Sequence, residues 1–123
     1  MQIKMKQKES KGVKLLKYVE MLIDANPELY SSIHEIAEKA NTSPRNLQLL
    51  FRKYRNYTPM KFLKERKLHK ARLALIRSNG ESSIKQIAYD SGFSNMSSFS
   101  RDYRNLFGEL PSSTVEFARN DVF

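Results

Sequence analysis

A stretch of this chain is written twice. Ser32-Ile33-His34-Glu35-Ile36-Ala37 returns as Ser83-Ile84-Lys85-Gln86-Ile87-Ala88, a shift of 51 positions. Phe51-Arg52 through Thr58-Pro59 returns as Tyr103-Arg104 through Leu110-Pro111, a shift of 52. The shift grows by one, which places one inserted residue inside the second copy, near positions 95 to 97. Two copies of one unit must bury the same apolar stripe twice. A chain of 123 residues with 40% apolar content supports that as one thin core or as two small ones.

Within each copy the spacing is helical. From Val13, the residues Leu15, Leu16, Val19, Leu22 and Ile23 recur at steps of three and four until Asn26-Pro27. Ser32 opens a short helix, and Glu35 three residues on completes a capping box. Ile33, Ile36, Ala37 and Ala40 make its stripe. Asn41-Thr42-Ser43 forms a turn, and Pro44 takes the first position of the next helix, where its missing N–H is no loss. That helix, about 44 to 55, turns Leu47, Leu50, Phe51 and Tyr54 inward. Arg45, Gln48, Leu49 and Arg52 share the opposite face, within roughly a third of the circumference.

The second copy repeats the plan. Ser83 and Gln86 occupy the capping-box positions, Ile84, Ile87 and Ala88 make the stripe, and Gly92 falls where a helix-ending turn needs positive φ. A helix of about 96 to 107 is expected to bury Phe99, Tyr103, Leu106 and Phe107. It presents Ser97, Ser98, Arg101, Arg104 and Asn105 outward. Short helix, tight turn and longer helix with a polar outer face is a helix-turn-helix.

Between the copies, Met60 to Ser78 reads as one helix of roughly 28 Å, of the order of one duplex turn, about 34 Å. Its packing face is expected to be Met60, Leu63, Leu68, Ala71, Ala74 and Leu75. Lys61, Lys64, Arg66, Lys67, Lys70, Arg72 and Arg77 make it strongly basic, most of them solvated. The predicted organisation is a tail at 1–12, a first unit at 13–57, a linker helix at 58–79, a second unit at 80–118 and a tail at 119–123.

Charge narrows the partner. The chain carries 22 Lys and Arg against 13 Asp and Glu, a net +9. That suits neutralising phosphates, although an anionic membrane surface or another acidic partner fits the number equally. Two reading heads on a basic chain favour a periodic anionic polymer, duplex DNA. Arginine bonds guanine through O6 and N7 together, and glutamine bonds adenine through N6 and N7.

An enzyme finds little support. His34-Glu35-Ile-Ala-Glu38 begins like a zinc-protease helix, but Glu38 stands where the second histidine belongs. The other histidine, His69, is in the linker helix, and the four glycines are scattered singly. Cysteine is absent, which removes thiolate metal sites and disulfides. No cofactor, no metal and no membrane span are expected, and the location expected is the cytoplasm, at the bacterial nucleoid.

Ile87-Ala88-Tyr-Asp-Ser-Gly92-Phe93-Ser94, then Phe99-Ser-Arg-Asp-Tyr103-Arg104-Asn-Leu-Phe107-Gly108 and Pro111, resembles the DNA-binding domain of the AraC/XylS family of transcription regulators. Tyr103-Arg104-Asn-Leu-Phe-Gly-Glu-Leu-Pro-Ser112 resembles its XylS-like branch. The resemblance covers about residues 13 to 118. It implies an all-α fold of seven helices, two helix-turn-helix subdomains joined by a long linker helix. It also implies a transcription factor, usually an activator, that binds double-stranded DNA as two adjacent half-elements in successive major grooves and touches RNA polymerase. The sensor and dimerisation domain common in that branch has no counterpart in these residues. The chain is either the DNA-binding part of a longer effector-responsive protein or a natural stand-alone regulator; the first is expected, with the domain monomeric in isolation. A protein-interaction module or a non-specific basic nucleic-acid binder is the alternative.

Carried over by position, the resemblance places base contacts at Arg45, Gln48, Leu49 and Arg52 in the first reading helix. In the second it places them at Met96, Ser97, Ser98 and Arg101. Phosphate contacts are expected at Ser43, Asn46, Lys53, Arg66, Lys85, Arg104 and Asn105. Leu49 and Met96 are apolar where the family often uses polar side chains, and Asn41 replaces the usual turn glycine. With serines at 97 and 98, the second head is expected to read few bases and mainly grip backbone.

Overall fold

A computed structural model describes residues 9 to 120. Its seven α-helices are α1 (Lys11–Ala25), α2 (Ile33–Lys39), α3 (Pro44–Tyr54), α4 (Pro59–Ser78), α5 (Ile84–Asp90), α6 (Met96–Phe107) and α7 (Pro111–Arg119). A single 3-10 turn, Pro27–Leu29, follows α1, and no strand occurs among the described residues.

Helix α1 starts two residues before the apolar spacing does. Ser10 caps it, its Oγ accepting the Val13 N–H at 3.2 Å. Gly12 sits inside the first turn, where a Cβ would stand 2.7 Å from Leu50 Cδ2, the movable tip of that side chain. Of the expected 1–12 tail, residues 1 to 8 lie outside the described range, as do 121 to 123.

The apolar residues form two separate cores. In the first, Leu16, Val19 and Ile23 of α1 meet Ile36 and Ala37 of α2, Leu47 and Phe51 of α3, and Phe62 and Leu63 of α4. In the second, Leu68, Ala71 and Leu75 of α4 meet Ile87 and Ala88 of α5 and Phe99 and Tyr103 of α6. Fully burying each Leu, Ile, Val or Phe among them contributes about 1.5–3 kcal/mol, and the alanines less.

Helix α4 is therefore a wall with a core on either side. At 100° per residue, Phe62 and Leu63 point roughly 160° away from Leu68, Ala71 and Leu75. This corrects the single packing face expected from the sequence. Met60 stays 39% exposed, while Phe62 and Lys67 are buried. Leu106 also departs from expectation, at 37% exposed, because it faces a groove beside α4 rather than the second core.

Polar groups finish the packing. The Glu20 carboxylate accepts from Arg55 Nε and Nη2 at 3.1 and 2.7 Å and from the Tyr57 hydroxyl at 2.7 Å. Burial works against that charge, but the bonds from Arg55 and Tyr57 outweigh it and hold the carboxyl below its ordinary range. In the second unit, the buried Tyr103 hydroxyl lies 2.6 Å from Thr114 Oγ1, which donates to Glu109.

Candidate nucleic-acid interface

Both turns are made by the same backbone device. Helix α2 ends as the Thr42 N–H returns to the Ala37 carbonyl at 2.9 Å and the Asn41 N–H to Glu38 at 3.1 Å. Helix α5 ends as Phe93 returns to Ala88 at 2.9 Å and Gly92 to Tyr89 at 3.0 Å. This is the paired closure of a Schellman motif, which needs a left-handed residue just past the helix. Asn41 supplies it at φ 55° and Gly92 at φ 102°. Asparagine tolerates this region because its short polar side chain bonds locally.

The reading helices are then capped. The Ser43 Oγ accepts the Asn46 N–H at 3.0 Å, and the Asn95 Oδ1 accepts the Ser98 N–H at 2.9 Å. Gly92 and Phe93 keep the shift of 51, while Asn95 takes the shift of 52 relative to Ser43. The inserted residue thus lies between Phe93 and Asn95, slightly earlier than the expected 95 to 97. Pro44 leads α3. The capping boxes are only half formed. Ser32 and Ser83 each accept the expected backbone N–H, but the Glu35 carboxylate turns to the hydroxyls of Ser31 and Ser32. The Gln86 amide instead reaches forward to Asp90 at 2.8 Å.

On α3, Arg45, Gln48, Leu49 and Arg52 are all exposed, and Leu47 and Phe51 are fully buried. Arg45, Gln48 and Arg52 make no hydrogen bond or ion pair among the described residues, which leaves their donors open. On α6, Ser97 and Arg101 are exposed, whereas Ser98 is half-buried. Met96 is half-buried against the second core. Arg101 Nε stands 3.7 Å from Asp102.

The expected phosphate contacts fall into two groups. Lys85, Arg104 and Asn105 are exposed, as are Ser43 and Asn46, which already engage each other at the start of α3. Lys53 lies over the Tyr54 ring at 5.2 Å. Arg66 is placed elsewhere: it pairs with Asp24 at 3.3 Å and covers the Phe62 ring, in a groove lined by no residue of α3 or α6.

Two other grooves join the reading helices. One lies beside α3, lined by Gln48, Arg52, Thr58 and Met60. The other, of about 690 Å³, runs between α4 and α6 and is lined by Thr58, Met60, Lys61, Lys64, Asn105 and Leu106. Thr58 and Met60 border both, so one continuous surface connects α3 to α6. Lys61 and Lys64 were legible only as part of a basic helix. What sets them apart is that they sit one helical turn apart beside α6. No group of three or more metal-ligating side chains occurs among the described residues, and no helix there is long and apolar enough to cross a membrane.

The helix-turn-helix domain family matches residues 36–116. The XylDLEGF operon transcriptional activator of Pseudomonas putida is 37% identical over 114 residues, 92% of this chain and 36% of that protein. The putative HTH-type transcriptional regulator YkgA of Escherichia coli (strain K12) is 36% identical over 98 residues, covering 80% of this chain and 40% of that one. The chain thus spans well under half the length of these curated relatives. The crystal structure of a probable AraC family transcriptional regulator from Rhodopseudomonas palustris matches with TM-score 0.77 at 34% identity, over 86% of this chain and 98% of that one. An AraC-type regulator structure from Chromobacterium violaceum matches with TM-score 0.76 at 32% identity, over 89% and 96%.

Proposed function

The chain belongs to the AraC family of helix-turn-helix transcription regulators, and from that premise we propose that it reads duplex DNA with two unequal heads. Helix α3 enters one major groove and α6 the next. The observation that carries this reading is the open face of α3. Arg45, Gln48 and Arg52 project donors into solvent from a helix whose opposite side is locked into the first core. Arg45 and Arg52 lie two turns apart, about 10.5 Å along the axis, a span that covers several base pairs.

Leu49 packs on a thymine methyl. On α6, Ser97 and Arg101 meet the groove directly, while Ser98 and Met96 come second because the fold half-buries them. Lys85, Arg104 and Asn105, with Ser43, Asn46 and Lys53, grip phosphates, and Lys61 and Lys64 follow the backbone between the two grooves. Arg66 is left out of this set because it sits with Asp24 in a groove that no residue of α3 or α6 lines, whereas Lys64, 3.8 Å from Asp102 of α6, stays on the reading side. The functional units on this reading are 13–57 and 80–118, with 58–79 holding them apart. As a monomeric DNA-binding unit in the bacterial cytoplasm, it serves activation by touching RNA polymerase from a face the DNA leaves free.

Selection of random duplex DNA by the purified chain, at about 0.15 M salt, tests this. An asymmetric motif of two clusters, about ten base pairs apart, is the expected result. Recovery of no preferred sequence would reduce the chain to a non-specific basic binder.

A further inference from the structure

Lysine is seldom buried, and Lys67 is 8% exposed at the middle of the longest helix. Its place on the helix is unusual. The first core packs on one side of α4 and the second on the other, and position 67 falls in the sector between them at 100° per residue. Three parts of the molecule meet there. The Lys67 Nζ donates to the Gly92 carbonyl at 3.3 Å, in the turn of the second head. A Cβ on Gly92 would lie 2.9 Å from Lys67 Cε and 3.1 Å from the Glu28 Cα. Glu28 belongs to the 3-10 turn of the first unit, and Lys70 holds its carboxylate at 2.5 Å.

The backbones of the two units therefore touch at Glu28 and Gly92, with the Lys67 stem filling the angle between them. We infer that Lys67 is a positioning residue that locks the two heads in one relative pose and so sets the half-element spacing this chain accepts. The inference rests on the two-headed reading given above. A charge here is costly for packing alone. Burial disfavours it, and Glu35 and Glu28, both from the first unit, offset part of that cost. An apolar side chain would fill the same space but leave the Gly92 carbonyl without this donor and Glu35 and Glu28 without this counter-charge. Register is the best-attested use of a buried charge.

The pose matters because DNA is a screw. One added base pair turns the second half-element by about 34° and moves it about 3.4 Å. Heads locked together lose contacts on such a site, and heads on a loose joint follow it.

The test compares the parent chain with Lys67→Met in two ways. Spin labels at Lys39→Cys on α2 and Glu116→Cys on α7, both exposed in a chain without native cysteine, report the distance between heads without DNA. The substitution is expected to widen that distance distribution about twofold. On DNA, the parent is expected to lose about tenfold in affinity when one base pair is inserted between the half-elements, and Lys67→Met about threefold or less. Lys67→Leu, equally without a donor, takes its place with the same expected readings if Lys67→Met loses its helical signal. Unchanged width with an unchanged insertion penalty would overturn the role of Lys67. A parent chain that prefers no site at all would instead overturn the DNA reading, and the label distances would still decide whether Lys67 joins the heads.

Discussion

The two helix-turn-helix units share a backbone plan and differ in what they put on it. Both close the short helix through the same pair of carbonyl bonds, and both cap the reading helix with a small polar residue. The first reaches its reading helix through Ala40 to Ser43 and the second through Ser91 to Asn95, one residue more. The first turn uses an exposed asparagine at positive φ, and the second uses a glycine pressed against Lys67 and Glu28. The first reading face carries Arg45, Gln48, Leu49 and Arg52, and the second carries Ser97, Ser98 and Arg101 beside a half-buried Met96. The buried side of a repeated unit is fixed by packing, so it varies little within the chain. The outer side is free, and there the two units carry different side chains.

The sharpest way to break this comparison is at the turn. Gly92→Val is expected to destabilise the chain by about 3 kcal/mol or more, since the new side chain meets strained φ and two close neighbours. Asn41→Val, at the matching position, is expected to cost only about 1–2 kcal/mol. Chemical denaturation checks both, and equal costs would show that the junction with Glu28 and Lys67 adds nothing.

On DNA the first head is expected to matter more. Arg45→Ala should weaken binding to the selected site by about 1–3 kcal/mol and relax preference at one base pair. Titration against single-base variants of the site measures this. A loss that is uniform across sequences would reassign Arg45 to phosphate.

Acid gives a third comparison. The Glu20 carboxyl is held below its ordinary range by Arg55 and Tyr57, so its contribution is present above the unfolded value near 4.3 and fades as pH falls through the folded one. Glu20→Gln is expected to cost about 1 kcal/mol at neutral pH and to flatten the loss of stability below pH about 4.3. Melting curves over that range decide it, and parallel slopes would remove Glu20 from the account. The smallest effect is reserved for the second head, where Ser97→Ala is expected to change affinity by under about 0.5 kcal/mol. A larger loss would mean that α6 reads bases as closely as α3.

Much of this architecture is legible in the sequence. Ser32 and Ser83 announce their helices because a cap is a local bargain between a hydroxyl and a backbone N–H three residues on, and Pro44 announces α3, whose Ser43 cap reads in the sequence only as part of the turn. Asn41 and Gly92 marked the turns because few residues accept positive φ. The open face of α3 followed from the same periodicity that buries Leu47 and Phe51. Helix α4 escapes this reading because periodicity assumes one core per helix, and two cores on opposite sides blur the stripe. The same blur hides Phe62 and Lys67 and puts Met60 on the packing face, when it borders two grooves. Leu106 shows a related limit: spacing says which side of a helix it takes, not whether a neighbour arrives to cover it. The departure of Arg66 toward Asp24 depends on residues 42 positions apart, beyond any local pattern.

The double-sided helix also constrains how this architecture is able to change over evolutionary time. A residue inserted in α4 between Leu63 and Leu68 would swing one unit by about 100° around the other and move it about 1.5 Å. No single further substitution restores that. Seven residues, close to two full turns, would nearly restore the orientation, but they would push the units apart by about 10.5 Å. In this chain the turn between Phe93 and Asn95 accommodates an extra residue, and the same change inside α4 would break the fit of both cores at once. What the chain recognises is therefore open to change on its exposed faces, while the ruler between them is not.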